Sequence, residues 1–68
     1  MVNTVLLENK ISDSGLKKKY IAEKLGISTR TFAKKIKNES PIMGDEISLL
    51  CEILNISDNN QKTEIFLS

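Results

Sequence analysis

The sequence predicts an all-α protein, a compact bundle of about five short helices. Its 68 residues include only three Gly and one Pro, too few for the many turns that a small β-sandwich or barrel requires. Apolar residues also recur at the i, i+3, i+4 and i+7 positions of a buried helix face, most clearly between Ile47 and Leu54. A chain of this length is expected to form one domain, residues 1–68, with a modest core.

The first half of the chain predicts two helices, over about residues 4–13 and about residues 17–25. Leu7 and Ile11 stand one turn apart and give the first helix its inner face. Gly26 is the residue type expected where a chain takes a positive φ angle after a helix, so we expect it to end the second helix.

The second half predicts three more helices, over about residues 29–37, over about residues 44–54 and in a short segment after Asp58. Ser28 is a favourable N-cap for the first of these, because its hydroxyl can accept a hydrogen bond from a free backbone amide. The expected buried face of the second comprises Ile47, Leu50, Cys51 and Leu54.

The formal net charge of +1 conceals a strong segregation of sign along the chain. Eight of the ten basic residues lie between Lys17 and Lys37, where Glu23 is the only acid. The rest of the chain carries two basic residues and eight acids. A concentrated positive field of this kind favours a polyanion such as nucleic acid as the partner.

The composition argues against several other classes of function. The chain has no His and one Cys, which leaves few groups for catalysis, for a metal site or for a disulfide. We therefore expect a protein that is not an enzyme and that needs no cofactor, metal or small-molecule ligand. No apolar stretch is long enough to cross a bilayer and no signal-peptide pattern is present, so we expect a cytoplasmic protein without membrane contact.

Four residues of the segment 22–28 follow the pattern of a helix-turn-helix. Ala22 is small where two helices would cross, and Gly26 allows the turn between them. Ile27 would fill the space beneath the turn, and Ser28 would cap the next helix. With these residues in register, the segment resembles the helix-turn-helix of phage Cro and repressor proteins, the XRE-like family.

The resemblance to this family extends over about residues 5–67 and includes the segments 31–38 and 46–56 as well as Pro41. It implies a lambda-repressor-like fold of five helices with a helix-turn-helix at about residues 16–37. The second helix of that motif, the recognition helix, would dock in the major groove of double-stranded operator DNA. Proteins of this family usually bind as dimers.

The predicted recognition helix carries the residues expected to read bases. The resemblance places Thr29, Arg30 and Lys34 at base edges. Arg30 can form a bidentate pair with guanine O6 and N7, which discriminates against other bases by about 1–3 kcal/mol. Lys34 lies one turn further along the same face, and Thr29 can reach a base edge or a thymine methyl group.

Contacts with the DNA backbone are expected at both ends of the helix-turn-helix. The resemblance implies phosphate contacts from Lys18, where the family usually has Gln, and from Lys37 and Asn38. It also implies a contact from free amides near Gly44, which is expected to be an N-cap because Met43 stands where a Ser or Thr cap is usual. Further backbone contacts are predicted from Lys17, Lys19 and Ser28, and a phosphate contact is also considered for Lys35, which is expected to be turned partly towards the protein.

The apolar C-terminal residues Ile65, Phe66 and Leu67 are a possible dimer surface, although Phe66 could instead close the core. The expected function is a sequence-specific transcriptional regulator, a phage or prophage Cro-like repressor that acts as a homodimer, at least on DNA, by occupying an operator. Two alternatives stay open. One is an antitoxin-like or scaffold module that binds a partner protein, and the other is an architectural, excisionase-like DNA-binding factor.

Overall fold

A computed structural model describes residues 2–67, which form five α-helices and no strand in that range. The helices are α1 (Thr4–Ser14), α2 (Lys18–Leu25), α3 (Thr29–Ile36), α4 (Gly44–Ile53) and α5 (Asn59–Phe66). The predicted all-α bundle is confirmed, and the predicted limits of the first four helices lie within one residue of those observed. None of these helices is long and apolar enough to cross a membrane.

One hydrophobic core joins the five helices. Each helix contributes at least one buried side chain to it, among them Leu7, Ile21, Phe32, Leu50 and Ile65. Burial of a side chain of this size stabilises the fold by about 1.5–3 kcal/mol. Since α2 packs against both α3 and α4, and α1 packs against α3 and α5, α3 is held by two neighbours and keeps its remaining face in solvent.

The first turn of α4 begins at an N-cap residue whose side chain makes no capping hydrogen bond. Met43 is the N-cap and Gly44 is already helical, so the prediction that Gly44 is the cap is wrong. Met43 has no side-chain oxygen that could accept from a free amide. Instead, the carboxylate of Glu46 accepts a hydrogen bond from the backbone N–H of Met43 at 2.9 Å. This bond orders the start of the helix, and a Met can therefore occupy the cap position.

The inner face of α4 follows the predicted period with one exception. Leu50, Cys51 and Leu54 are buried, whereas Ile47 is only half-buried. Burial raises the pKa of the Cys51 thiol, an effect that the charge of Lys62 partly offsets. Cys51 is therefore a protonated, small core residue.

The C-terminal apolar residues do not form a continuous surface. Ile65 and Phe66 are buried, at 3% and 4% exposure, whereas Leu67 is 72% exposed. Ile65 and Phe66 therefore do not form the possible dimer surface, and the alternative for Phe66, that it closes the core, is confirmed. The reason is that α5 packs against α1 and turns both side chains inwards, while Leu67 follows the end of the helix.

The residues before α1 tie the ends of two other helices together. The side chain of Asn38, just after α3, accepts from the Val2 N–H at 3.0 Å and donates to the Val2 carbonyl at 2.7 Å. The Asn3 N–H donates to the Ile65 carbonyl at 2.6 Å. Val2 itself is buried. This connection was not predictable from the sequence, because residues 2 and 38 are far apart in the chain and only the fold brings them together.

The two hydrogen bonds of Asn38 can be tested against a residue with the same backbone. Asn38 and Asn55 both have left-handed φ angles, of 62° and 61°. Within residues 2–67, the Asn55 side chain makes no hydrogen bond. We expect Asn38→Gly to lower the free energy of unfolding by about 2 kcal/mol more than Asn55→Gly, since two bonds contribute about 1 kcal/mol each. Urea unfolding followed by circular dichroism measures the difference, and equal effects would contradict the prediction.

Candidate nucleic-acid interface

The exposed face of α3 is polar and positively charged. Phe32 and Ile36 are buried, and the exposed residues are Thr29, Arg30, Lys34 and Lys37. Arg30, Lys34 and Lys37 follow one another at i, i+4 and i+7, so they share one side of the helix. In the described residues, none of these three has a carboxylate oxygen within 4.0 Å. Thr29, Arg30 and Lys34, the residues predicted to read bases, are therefore all exposed on α3.

Three residues, Gly26–Ser28, connect α2 to α3. Gly26 has a φ angle of 75°, as predicted for the end of α2. The Ile27 N–H donates to the Ala22 carbonyl at 3.0 Å, and the Ile27 side chain packs against the core. The Ser28 hydroxyl accepts from the Thr31 N–H at 3.1 Å, which confirms the predicted N-cap. The start of α3 is therefore fixed relative to the end of α2.

Lys35 is buried, which corrects the prediction that it neutralises a DNA phosphate. Its Nζ atom lies 2.8 Å from Glu46 Oε1 and donates to the Pro41 carbonyl at 2.9 Å. Only 10% of the Lys35 side chain is exposed. The residue lies between Phe32 and Ile36, and the helical period is enough to turn it towards the core side of α3. Its partner was not predictable from that period, because Glu46 belongs to another helix.

The carboxylate of Glu46 links α3, the loop before α4 and the first turn of α4. Burial by itself raises the pKa of this carboxyl. The hydrogen bonds from Lys35 and from the Met43 N–H, together with the Lys35 charge, outweigh burial and hold the pKa below its usual value of 4.5. Glu46 is therefore ionised at neutral pH, and it holds the loop against the last turn of α3.

Lys18 is exposed in the first turn of α2, but it has an acidic partner on α1. Its Nζ atom lies 3.0 Å from Glu8 Oε1 and donates to Oε2 at 3.2 Å. The two side chains are 45% and 43% exposed, so the pair contributes about 0–1 kcal/mol to stability. The pair can therefore be broken, and Lys18 can take another anionic partner when it gives up its contact with Glu8. The pairing of Lys18 with Glu8 was not predictable from the sequence, because the two residues lie on different helices and only packing brings them together.

Two other residues predicted to contact the DNA backbone already use their polar groups within the protein. The Ser28 hydroxyl donates to Thr31 Oγ1 at 2.9 Å. Because phosphate oxygens only accept, Ser28 would have to release Thr31 before binding one. Asn38 uses its oxygen and one N–H on Val2, which leaves one N–H of the amide. Both residues therefore have a structural role that limits their contacts with DNA.

The start of α4 carries mixed charge. Gly44 and Asp45 are exposed, and the helix dipole favours an anion beside their amides. Asp45 has no cationic partner within 4.0 Å among residues 2–67, whereas Glu46 is neutralised by Lys35. The predicted phosphate contact near Gly44 would therefore have to form next to one uncompensated carboxylate.

The remaining lysines of the basic segment are exposed. Lys17 precedes α2, and Lys19 and Lys24 lie on it. The Lys24 Nζ atom lies 5.5 Å from the centroid of the Tyr20 ring, within reach of a cation–π contact. In residues 2–67, none of the three has a carboxylate partner. Lys17 and Lys19 are therefore exposed and carry unpaired charge in the described chain, as their predicted phosphate contacts require.

Residues 2–67 contain no group of three or more metal-binding side chains. The chain has no significant match among protein-family models, curated proteins or solved structures.

The Lys35–Glu46 pair predicts a dependence of stability on pH. Because its folded-state pKa is lowered, Glu46 stabilises the protein fully above the usual pKa of 4.5, and this contribution is lost as the pH falls through the lowered value. We expect Glu46→Gln to lower the free energy of unfolding by about 3 kcal/mol at pH 7, since it leaves Lys35 buried without a counter-charge. The difference from the wild type should shrink towards pH 3.

Urea unfolding measured from pH 7 to pH 3 checks this prediction, with Glu52→Gln as the control. Glu52 is an exposed acid on the same helix and, in the described chain, has no ion pair. The control should change stability by less than about 0.5 kcal/mol at each pH. A Glu46→Gln effect that did not vary with pH would contradict the prediction.

Proposed function

We propose that this protein is a sequence-specific, double-stranded DNA-binding transcriptional regulator in which α2 and α3 act as a helix-turn-helix. The observation that carries the proposal is the exposed face of α3, where Arg30, Lys34 and Lys37 have no acidic partner in the described chain. Lys35, which lies on the same helix, is paired and buried. Free positive charge is thus concentrated on the side of α3 that a DNA groove could reach.

In this proposal, α3 is the recognition helix and lies in the major groove. Arg30 donates two hydrogen bonds to a guanine, and Lys34 contacts a second base or a phosphate one turn further along. Thr29, in the first turn of α3, contacts a base edge or a thymine methyl group. A bidentate pair discriminates between bases by about 1–3 kcal/mol, so Arg30 carries the largest share of specificity.

Lysines around α3 supply affinity that does not depend on sequence. The proposed phosphate contacts come from Lys17, Lys18, Lys19 and Lys37. Each neutralised phosphate releases condensed counterions, and the logarithm of the binding constant falls by about 0.9 per phosphate for each tenfold rise in salt. Four contacts per subunit therefore correspond to a slope of about −4. Because Lys35 is buried and paired with Glu46, it makes no phosphate contact. The expected salt dependence is therefore weaker than the number of basic residues suggests.

The proposed regulator is a Cro-like repressor of phage or prophage origin that acts in the cytoplasm by occupying its operator. Two subunits would read half-sites about one helical turn apart. Of the three C-terminal residues predicted as a possible dimer surface, only Leu67 is exposed. One exposed side chain gives little apolar area for association, so we propose that dimers form mainly on DNA, where adjacent half-sites bring the subunits together.

Selection of bound duplexes from random DNA tests the assignment of Arg30. We expect the wild type to select a defined motif, and Arg30→Ala to lose the preference at one base position and to bind the original motif about tenfold or more weakly. Lys10→Ala is the control. This substitution also removes one positive charge, but Lys10 lines a groove between α1 and α5 and does not lie on α3. Its selected motif should match that of the wild type.

The outcomes of this selection separate the proposal from its alternatives. A motif that Arg30→Ala leaves unchanged would contradict the assignment of Arg30 as a base reader. Binding without any selected motif would favour an architectural, excisionase-like factor. No binding of duplex DNA at low salt would overturn the proposal and favour a module that binds a partner protein.

A further inference from the structure

An acidic residue lies among the predicted phosphate contacts. Glu8 on α1 places both carboxylate oxygens within 3.2 Å of the Lys18 Nζ atom. It also lines a surface groove between α1 and the end of α3, where Lys37 contributes to the opposite wall. Glu8 therefore contacts one lysine to which the proposed function assigns a DNA phosphate, and it shares a groove with another.

This position has a cost for DNA binding. In the free protein, Lys18 has a carboxylate partner, and a phosphate has to replace that partner before it gains the Lys18 charge. After the exchange, the Glu8 carboxylate is left without its cation and close to the negative DNA backbone. Two unit charges in contact interact appreciably even in water, so both effects are large enough to measure.

We propose that Glu8 competes with DNA phosphate for Lys18 and so lowers the sequence-independent affinity of the protein. Glu8 acts as a restraint on non-specific binding, which leaves a larger share of the total affinity to Thr29, Arg30 and Lys34. This inference rests on the proposed function, because it assumes that Lys18 and Lys37 face DNA. Glu8 itself lies outside the basic segment and outside α3, so neither feature indicates a role for it.

The test uses a short duplex of random sequence as the probe, with fluorescence anisotropy measured between ~50 and ~200 mM salt. We expect Glu8→Gln to bind about fivefold more tightly than the wild type at the lower salt concentration, as the removal of about one unit-charge interaction implies. The salt slope should become steeper by up to about one unit, since no freed carboxylate takes up a counterion. The exposed pair contributes little to stability, and Glu8→Gln is therefore expected to fold.

Two controls isolate the competition from the change in net charge. Glu52→Gln removes the same charge from an exposed position in a groove with Asn55 and Lys62. It should tighten binding by less than about twofold, because Glu52 forms no ion pair with a lysine in the described chain and salt screens unpaired surface charges. In the Lys18→Gln background, Glu8→Gln should have a smaller effect than in the wild type. This double-variant cycle measures the coupling between Glu8 and Lys18 directly.

Each outcome decides the inference. A gain for Glu8→Gln that exceeds the Glu52→Gln gain and shrinks in the Lys18→Gln background supports it. Equal gains for Glu8→Gln and Glu52→Gln, or a Glu8→Gln gain that is undiminished without Lys18, would overturn the competition while the protein still binds DNA. If neither the wild type nor Glu8→Gln binds the duplex, the proposed function fails, and this inference fails with it.

Discussion

The ion pair between Lys35 and Glu46 is the interaction on which the geometry around α3 depends. One carboxylate performs two tasks: it neutralises a lysine of the last turn of α3, and it accepts from the Met43 N–H at the start of α4. The Lys35 ammonium also donates to the Pro41 carbonyl in the loop between the two helices. A buried pair of this kind adds little net stability, but the loss of one partner is costly, so it specifies one arrangement of the loop.

This pair also changes the distribution of charge that the protein offers to a partner. The charges of Lys35 and Glu46 neutralise each other in a buried ion pair. The charges of Lys18 and Glu8 partly neutralise each other at the surface. The free positive charge is left on the outer side of α3 and around the start of α2. The surface is therefore less basic than the segment between Lys17 and Lys37 suggests, and the positive charge is concentrated beside the residues proposed to read bases.

The second constraint on α3 comes from the N-terminal residues that precede α1. Val2 is held by the side chain of Asn38, and Asn3 is held by the carbonyl of Ile65, so the residues before α1 fasten the ends of α3 and α5. A small bundle buries little apolar surface, and connections of this kind matter more to it than to a larger domain. The same bonds leave Asn38 with one free N–H, which limits its part in any DNA contact.

Local features were predictable from the order of the residues. The helix limits follow from apolar period and capping residues, and Gly26 and Ser28 place the turn between α2 and α3, because these features depend on residues at most a few positions apart. The basic segment is equally visible in the sequence. Only the packing of the helices decided which of its cations stay free. Lys18 pairs with Glu8, 10 residues away, and Lys35 pairs with Glu46, 11 residues away. Each partner lies on another helix, so these pairings depend on how the helices pack and not on the local sequence.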